Sequence, residues 1–177
     1  MSMKRGVSFI PGVSSASMVP SEVCGVRVEY RADSKHPLAD ARGYGKKAFI
    51  VVGPAWYRLS PAAQEATLYH EAGHIIGRHR EFRVLMSLLL FVPALALLPW
   101  MFLACIAATL AVYYGIERLA QNQELDADLF AAKKGSAEPM LQLVRSFGPP
   151  PTVPFFYPDY ERRCGALVRF LEEQKHE

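Results

Sequence analysis

His70-Glu71-Ala72-Gly73-His74 reads H-E-x-x-H inside a segment of helical character. Two histidines four residues apart share one helix face, so both imidazoles can reach a single metal ion. The glutamate between them lies close to the same ion and can take a proton from a metal-bound water. The motif points to a zinc-dependent hydrolase, given a third ligand, a scaffold and a substrate. Zinc in such an enzyme takes three protein ligands and keeps a fourth position open.

His79 is a poor third ligand. In the metzincin pattern the third histidine follows the second by six residues, and that position here is Arg80. His79 is read as a surface helix residue. Glu124-Leu125-Asp126-Ala127-Asp128 is the better source, because Glu124 and Asp128 are four apart on one helix face. Glu124 would bind the metal, and Asp128 would accept a hydrogen bond from the second ring nitrogen of a ligand histidine, fixing its tautomer. An isolated E-x-x-x-D is usually an ordinary acidic face; the upstream motif gives this one a role.

Between Arg83 and Glu117 lie 33 residues without a charge, Val84 to Ile116. A buried hairpin of a soluble core is the plain alternative, but soluble helices seldom run so long without a polar face. A short membrane hairpin, tilted or partly re-entrant, is therefore expected at 84–116, divided at Pro99, with Trp100, Tyr113 and Tyr114 at interfaces. If His70, His74 and a ligand beyond Ile116 share one ion, both ends of the run lie on one side of the bilayer. Arg78, Arg80, Arg83 and Arg118 flank it, which makes that side cytoplasmic.

Val26–Tyr30 alternates as a half-exposed strand does, and Ala48–Val52 is a short β-rich run stopped by Gly53-Pro54. The intervening 33–47 reads as loop. Ser60-Pro61 announces the motif helix, with serine as N-cap and proline in the first turn. That helix is expected to run to about Arg80 or into the hairpin. Further helices are expected over Glu117–Lys134, stopped by Gly135, over Met140–Phe147, and over Asp159–Gln174 with Leu167, Phe170 and Leu171 buried. Residues 148–154 read as a linker.

The chain has 177 residues, net charge +3 and three cysteines, Cys24, Cys105 and Cys164. One domain, 21–177, is expected after a disordered lead-in over 1–20, with no cleavable signal peptide. No basic stripe suggests a nucleic-acid partner. No Cys-x-x-Cys pair suggests a disulfide framework or a thiolate zinc site. Cys24 is read as a small buried cysteine rather than a zinc-blocking thiol.

These residues together carry a resemblance. His70-Glu71-Ala72-Gly73-His74 with a trailing His79, an apolar hairpin, and then Glu124-Leu125-Asp126-Ala127-Asp128 resemble the HtpX-like membrane metallopeptidases, a gluzincin family that also contains the CAAX prenyl endopeptidases. Its members typically carry HExxHxxxxH and then an ExxAD-type helix. Tyr157-Pro158, followed by Arg163, is similar to the family's C-terminal motif, with tyrosine in place of the family histidine. The resemblance implies an α+β, mainly helical fold: a zincin-like core with a small β-sheet and an inserted transmembrane helical hairpin. It implies one zinc ion per chain held by His70, His74 and Glu124, with Glu71 as general base. Asp128 and Arg163 would support the ligands; Tyr157, which departs from the family residue, would either donate its hydroxyl to an oxyanion or serve packing or capping.

The expected function is membrane-associated zinc endopeptidase acting on polypeptides, with protein quality control as the setting. The expected partners are the bilayer, a polypeptide substrate, and a second copy or a membrane protein that covers the site. The strand near Phe49–Val52 is expected to align substrate as an exposed edge. Two rivals stand beside this. A site-2-type protease would bury the motif in the membrane, against the polar neighbours Gln64, Glu65, Arg78 and Arg80. A zinc-stabilised adaptor would close its metal with four protein ligands.

Overall fold

The computed structural model describes residues 19–34, 36, 38–96, 102–148 and 160–176. Four strands come first: β1 (Glu22–Val23), β2 (Val26–Tyr30), β3 (Ala39–Arg42) and β4 (Phe49–Val52). Five helices follow: α1 (Pro61–Ile76), α2 (His79–Ala96), α3 (Phe102–Ala131), α4 (Ala137–Phe147) and α5 (Tyr160–Gln174). The fold is mainly helical with a small mixed sheet.

The sheet order is β1-β2-β4-β3. β2 and β4 run parallel, while β1 and β3 pair antiparallel at the two edges. This corrects two expectations. The stretch 33–47 contains a strand, β3, and β4 is an interior strand, so it offers no edge. β3 escapes a hydrophobic reading because Ala39-Asp40-Ala41-Arg42 alternates small and charged residues and is half-buried throughout.

α1 lies between two cores. On one side Leu68 and Ala72 pack with Val23, Val28, Ile50 and Trp56 of the sheet layer. On the other, Ala66 meets Ala131, Met140, Leu141, Val144 and Leu167 from the helices that follow. Ser60 caps α1 by accepting from the Ala63 N–H at 3.3 Å, and Pro61 opens it, as read from sequence. α1 stops at Ile76, earlier than expected. Gly77 closes it, and Arg78 takes φ +52°. The chain then restarts as α2, turned back across the end of α1.

Gly73 explains how α1 meets α3. A Cβ there would lie 3.0 Å from Ala127 Cα and 3.1 Å from Phe130 Cβ. A side chain there would force α3 to give by a few tenths of an ångström, and the close approach sets His70 and His74 against Glu124 and Asp128.

α3 is one continuous helix of 30 residues, joining what the sequence divides at Ile116. Gly135, with φ +91°, ends it in a wide turn before α4. α5 buries Leu167 fully and Phe170 and Leu171 partly.

The apolar run forms the outer part of α2 and the first half of α3. Among the described residues no helix is long and apolar enough to cross a membrane, so the expected transmembrane hairpin finds no support there; residues 97–101 of the run lie outside them. α2 opens on His79-Arg80-Glu81-Phe82-Arg83, and the described charge-free part that follows, Val84–Ala96, rises about 20 Å. The buried soluble-core alternative does not fit either, since Leu85, Leu88, Leu89, Val92, Ile106 and Leu110 are exposed. Pro99 and Trp100 lie outside the described residues. So do residues 1–18 and the linker after Gly148; Val19 already packs in the sheet-side core.

Candidate metal centre

α1 presents His70 and His74 one turn apart, and α3 brings Glu124 opposite them. His70 Nε2 and His74 Nε2 are 3.1 Å apart, and each lies 3.4 Å from a Glu124 carboxylate oxygen. These three residues offer ligand atoms that all lie within 4.8 Å of one another, a group that could hold a metal ion. Ligands bound tetrahedrally at 2.0–2.1 Å stand about 3.3 Å apart. The two nitrogens, and each nitrogen with its nearer Glu124 oxygen, stand close to that spacing, and nitrogen–nitrogen–carboxylate is a donor set that zinc accepts.

The ring orientations are held from outside. The His70 Nδ1–H donates to Asp128 Oδ1 at 2.8 Å, leaving Nε2 for the cleft. Asp128 is fully buried and is gripped by Arg163 through Nε and through Nη2, the latter at 2.7 Å. Another Arg163 nitrogen lies 3.7 Å from Glu124. Burial raises a carboxyl pKa, but hydrogen bonds from His70 and Arg163 outweigh it and hold Asp128 below the usual carboxylate range. Glu124 is likewise held low, burial being outweighed by hydrogen bonds from His70 and His74. Burial also disfavours the His70 cation, yet its bonds to Asp128 and Glu124 push its pKa up to about 10 in the metal-free cleft.

Glu71 faces the other wall. Its Oε2 accepts the Ala41 backbone N–H of β3 at 2.8 Å. Burial pushes its carboxyl up, against the pull of His70 and His74. The cleft has a volume of about 500 Å³ and is lined by His70, Glu71, His74, Glu124, Ala41 and Arg83 among others.

The structure thus gathers His70, Glu71, His74, Glu124, Asp128 and Arg163 at one place. Tyr157 lies outside the described residues. Cys24 is exposed at the β1–β2 turn with φ +52°, not buried as expected. His79 is also corrected: it is buried, and its Nδ1 lies 3.0 Å from His74 Nδ1. Burial first, and then His74, hold its pKa down to about 4, so the ring is neutral. The helical spacing of the stretch through Gly77 and Arg78 hid the end of α1 that precedes His79. Ala41 left no signal, because a backbone N–H is supplied by any residue but proline.

The chain matches the model of peptidase family M48 over residues 12–164. No curated protein and no solved structure matches it. A match over that much of the sequence makes the chain a member of peptidase family M48, and its chemistry that of a metallopeptidase.

Proposed function

We propose that this M48 member is a zinc-dependent endopeptidase in which His70, His74 and Glu124 hold one zinc ion per chain and Glu71 is the general base. The observation that carries the proposal is the convergence of His70 Nε2, His74 Nε2 and the Glu124 carboxylate, with each nitrogen 3.4 Å from one of its two oxygens and the Glu71 carboxylate on the same cleft. Bound zinc lowers the pKa of a coordinated water and polarises the scissile carbonyl. Glu71 takes the proton of the attacking water and delivers it to the leaving amine. Asp128 fixes the His70 tautomer, and Arg163 fixes Asp128. Tyr157 remains the candidate donor to the oxyanion.

An extended polypeptide pairs with β3 in this reading. β3 is a sheet edge beside the cleft, and alternation turns the backbone groups of Ala39 and Ala41 away from β4. The Ala41 N–H then leaves Glu71 for a substrate carbonyl, freeing the base as substrate binds.

We further propose that α2 and the start of α3 dip into a bilayer and return to the cytoplasmic side. Their exposed apolar side chains support this, as do the arginines at their base, Arg78, Arg80, Arg83 and Arg118. Within the family, this hairpin and the Glu124–Asp128 helix favour the HtpX-like branch, and membrane-protein quality control as the setting.

Removing metal with a chelator should abolish cleavage of casein and of a membrane-protein substrate. Adding back one zinc equivalent should restore it. Cleavage that survives complete metal removal would sink the proposal.

A further inference from the structure

The two histidines of the motif are held by different partners. His70 is oriented by a carboxylate, Asp128 of α3. Among the described residues no carboxylate meets the second nitrogen of His74; its Nδ1 faces His79 Nδ1 at 3.0 Å, with the rings edge to face at 83°. We infer that His79 is the positioning residue of His74, accepting the His74 Nδ1–H through its own Nδ1 and thereby aiming His74 Nε2 at the metal. This rests on the zinc site proposed above.

The tautomers follow from the geometry. His74 Nε2 belongs to the converging donor group, so the single proton of a neutral His74 sits on Nδ1. That proton needs an acceptor at 3.0 Å, and the atom there is His79 Nδ1. His79 must then carry its own proton on Nε2. A neutral imidazole is a weaker acceptor than a carboxylate, so His74 stays a less electron-rich ligand than His70.

Several features hold His79 at this spot. Gly77 ends α1, and Arg78 takes a left-handed conformation that turns the chain back. The His79 ring then lies over Gly77: a Cβ there would stand 2.4 Å from His79 Nε2 and 2.7 Å from Cδ2. Glycine at 77 therefore leaves room for this ring. From α3, Gln123 Nε2 donates to the His79 carbonyl at 3.0 Å, while Gln123 Oε1 accepts from Arg83 Nε at 3.1 Å and Nη2 at 2.9 Å. Gln123 is buried and precedes Glu124, so one turn of α3 fixes both the third donor and the backbone of His79.

Three variants and two kinds of spectra test this. His79→Phe keeps a ring of similar size and removes the acceptor. His79→Asn keeps an acceptor oxygen near the position of Nδ1. Gly77→Ala keeps the histidine and displaces its ring. Zinc affinity is read by chelator competition and ligand geometry by the absorption of the cobalt-substituted protein, alongside thermal unfolding of the metal-free chain. Loss of an outer-shell partner typically weakens metal binding about 10–100-fold. His79→Phe and Gly77→Ala should show that loss and an altered cobalt spectrum, and His79→Asn should recover much of both. A purely structural His79 would lower the unfolding temperature of the metal-free chain and leave the cobalt spectrum unchanged. On the native zinc-loaded chain, long-range proton–nitrogen spectra should show His79 protonated on Nε2 and bare on Nδ1. Native affinity in His79→Phe, or a proton on His79 Nδ1, overturns the inference and leaves the zinc site standing. A native chain that binds no zinc overturns the site itself.

Discussion

His70 carries the clearest titration signature at the scale of single residues. In the metal-free chain burial opposes its cation, but the bonds to Asp128 and Glu124 lift the pKa from 6.5 to about 10. A folded-state pKa above the unfolded value gives stability that is fully present below about pH 6.5 and is lost as pH rises through 10. A metal on Nε2 replaces the proton on that atom and removes this dependence. The unfolding temperature of the metal-free chain should therefore fall between pH 6.5 and 10, and that of the zinc-loaded chain should hold. Parallel pH profiles for the two forms would mean that His70 does not exchange a proton for the metal. Asp128 and Glu124 act in the opposite direction. Their depressed pKa values give stability that is present above the ordinary carboxylate range and lost as pH falls below it.

At the scale of elements, the contact of α1 with α3 decides whether the donors meet. A Cβ at Gly73 would crowd Ala127 and Phe130 at 3.0 and 3.1 Å. Valine there should cost about 1–3 kcal/mol through overpacking and part His70 from Glu124. Helix propensity favours valine over glycine by only a few tenths of a kcal/mol, so packing should win. Urea unfolding measures the first effect and zinc titration the second; a Gly73→Val chain of native stability and zinc affinity would show that the contact is slack. Much of this arrangement was legible in the sequence. Ser60-Pro61 marked the start of α1, and the spacings of His70 with His74 and of Glu124 with Asp128 put each pair on one helix face. β3 was hidden because it lacks bulky residues, and the break at Gly77-Arg78 because the polar stretch through it keeps helical spacing. His79 was misread for the same reason, since a helix running straight to Arg80 would leave its side chain in water. Edge and interior strands were exchanged because strand order depends on long-range pairing, which Phe49–Val52 does not encode by itself.

At the scale of the whole molecule, the metal cleft and the apolar hairpin share α2 and α3. His79 and Arg83 open α2 beside the cleft, and the exposed apolar residues begin at Val84. Burying an exposed Leu or Val side chain stabilises by about 1.5–3 kcal/mol, so a handful of them suffices to hold a chain on a bilayer. Native protein should float with lipid vesicles in a density gradient. Replacing Leu85, Leu88, Leu89 and Val92 with serine should leave it at the bottom, still folded and still binding zinc. Equal flotation of the two would remove the hairpin from the membrane proposal. The metal chemistry stands independently of that result, because none of these four residues lines the cleft. It is met most directly by one measurement, the zinc content and peptide cleavage of the Glu71→Gln chain side by side. The expected result is one zinc per chain, as in the native protein, with cleavage lowered by about 10²–10⁴-fold, the usual contribution of a general base. Undiminished cleavage by a zinc-loaded Glu71→Gln chain would contradict it.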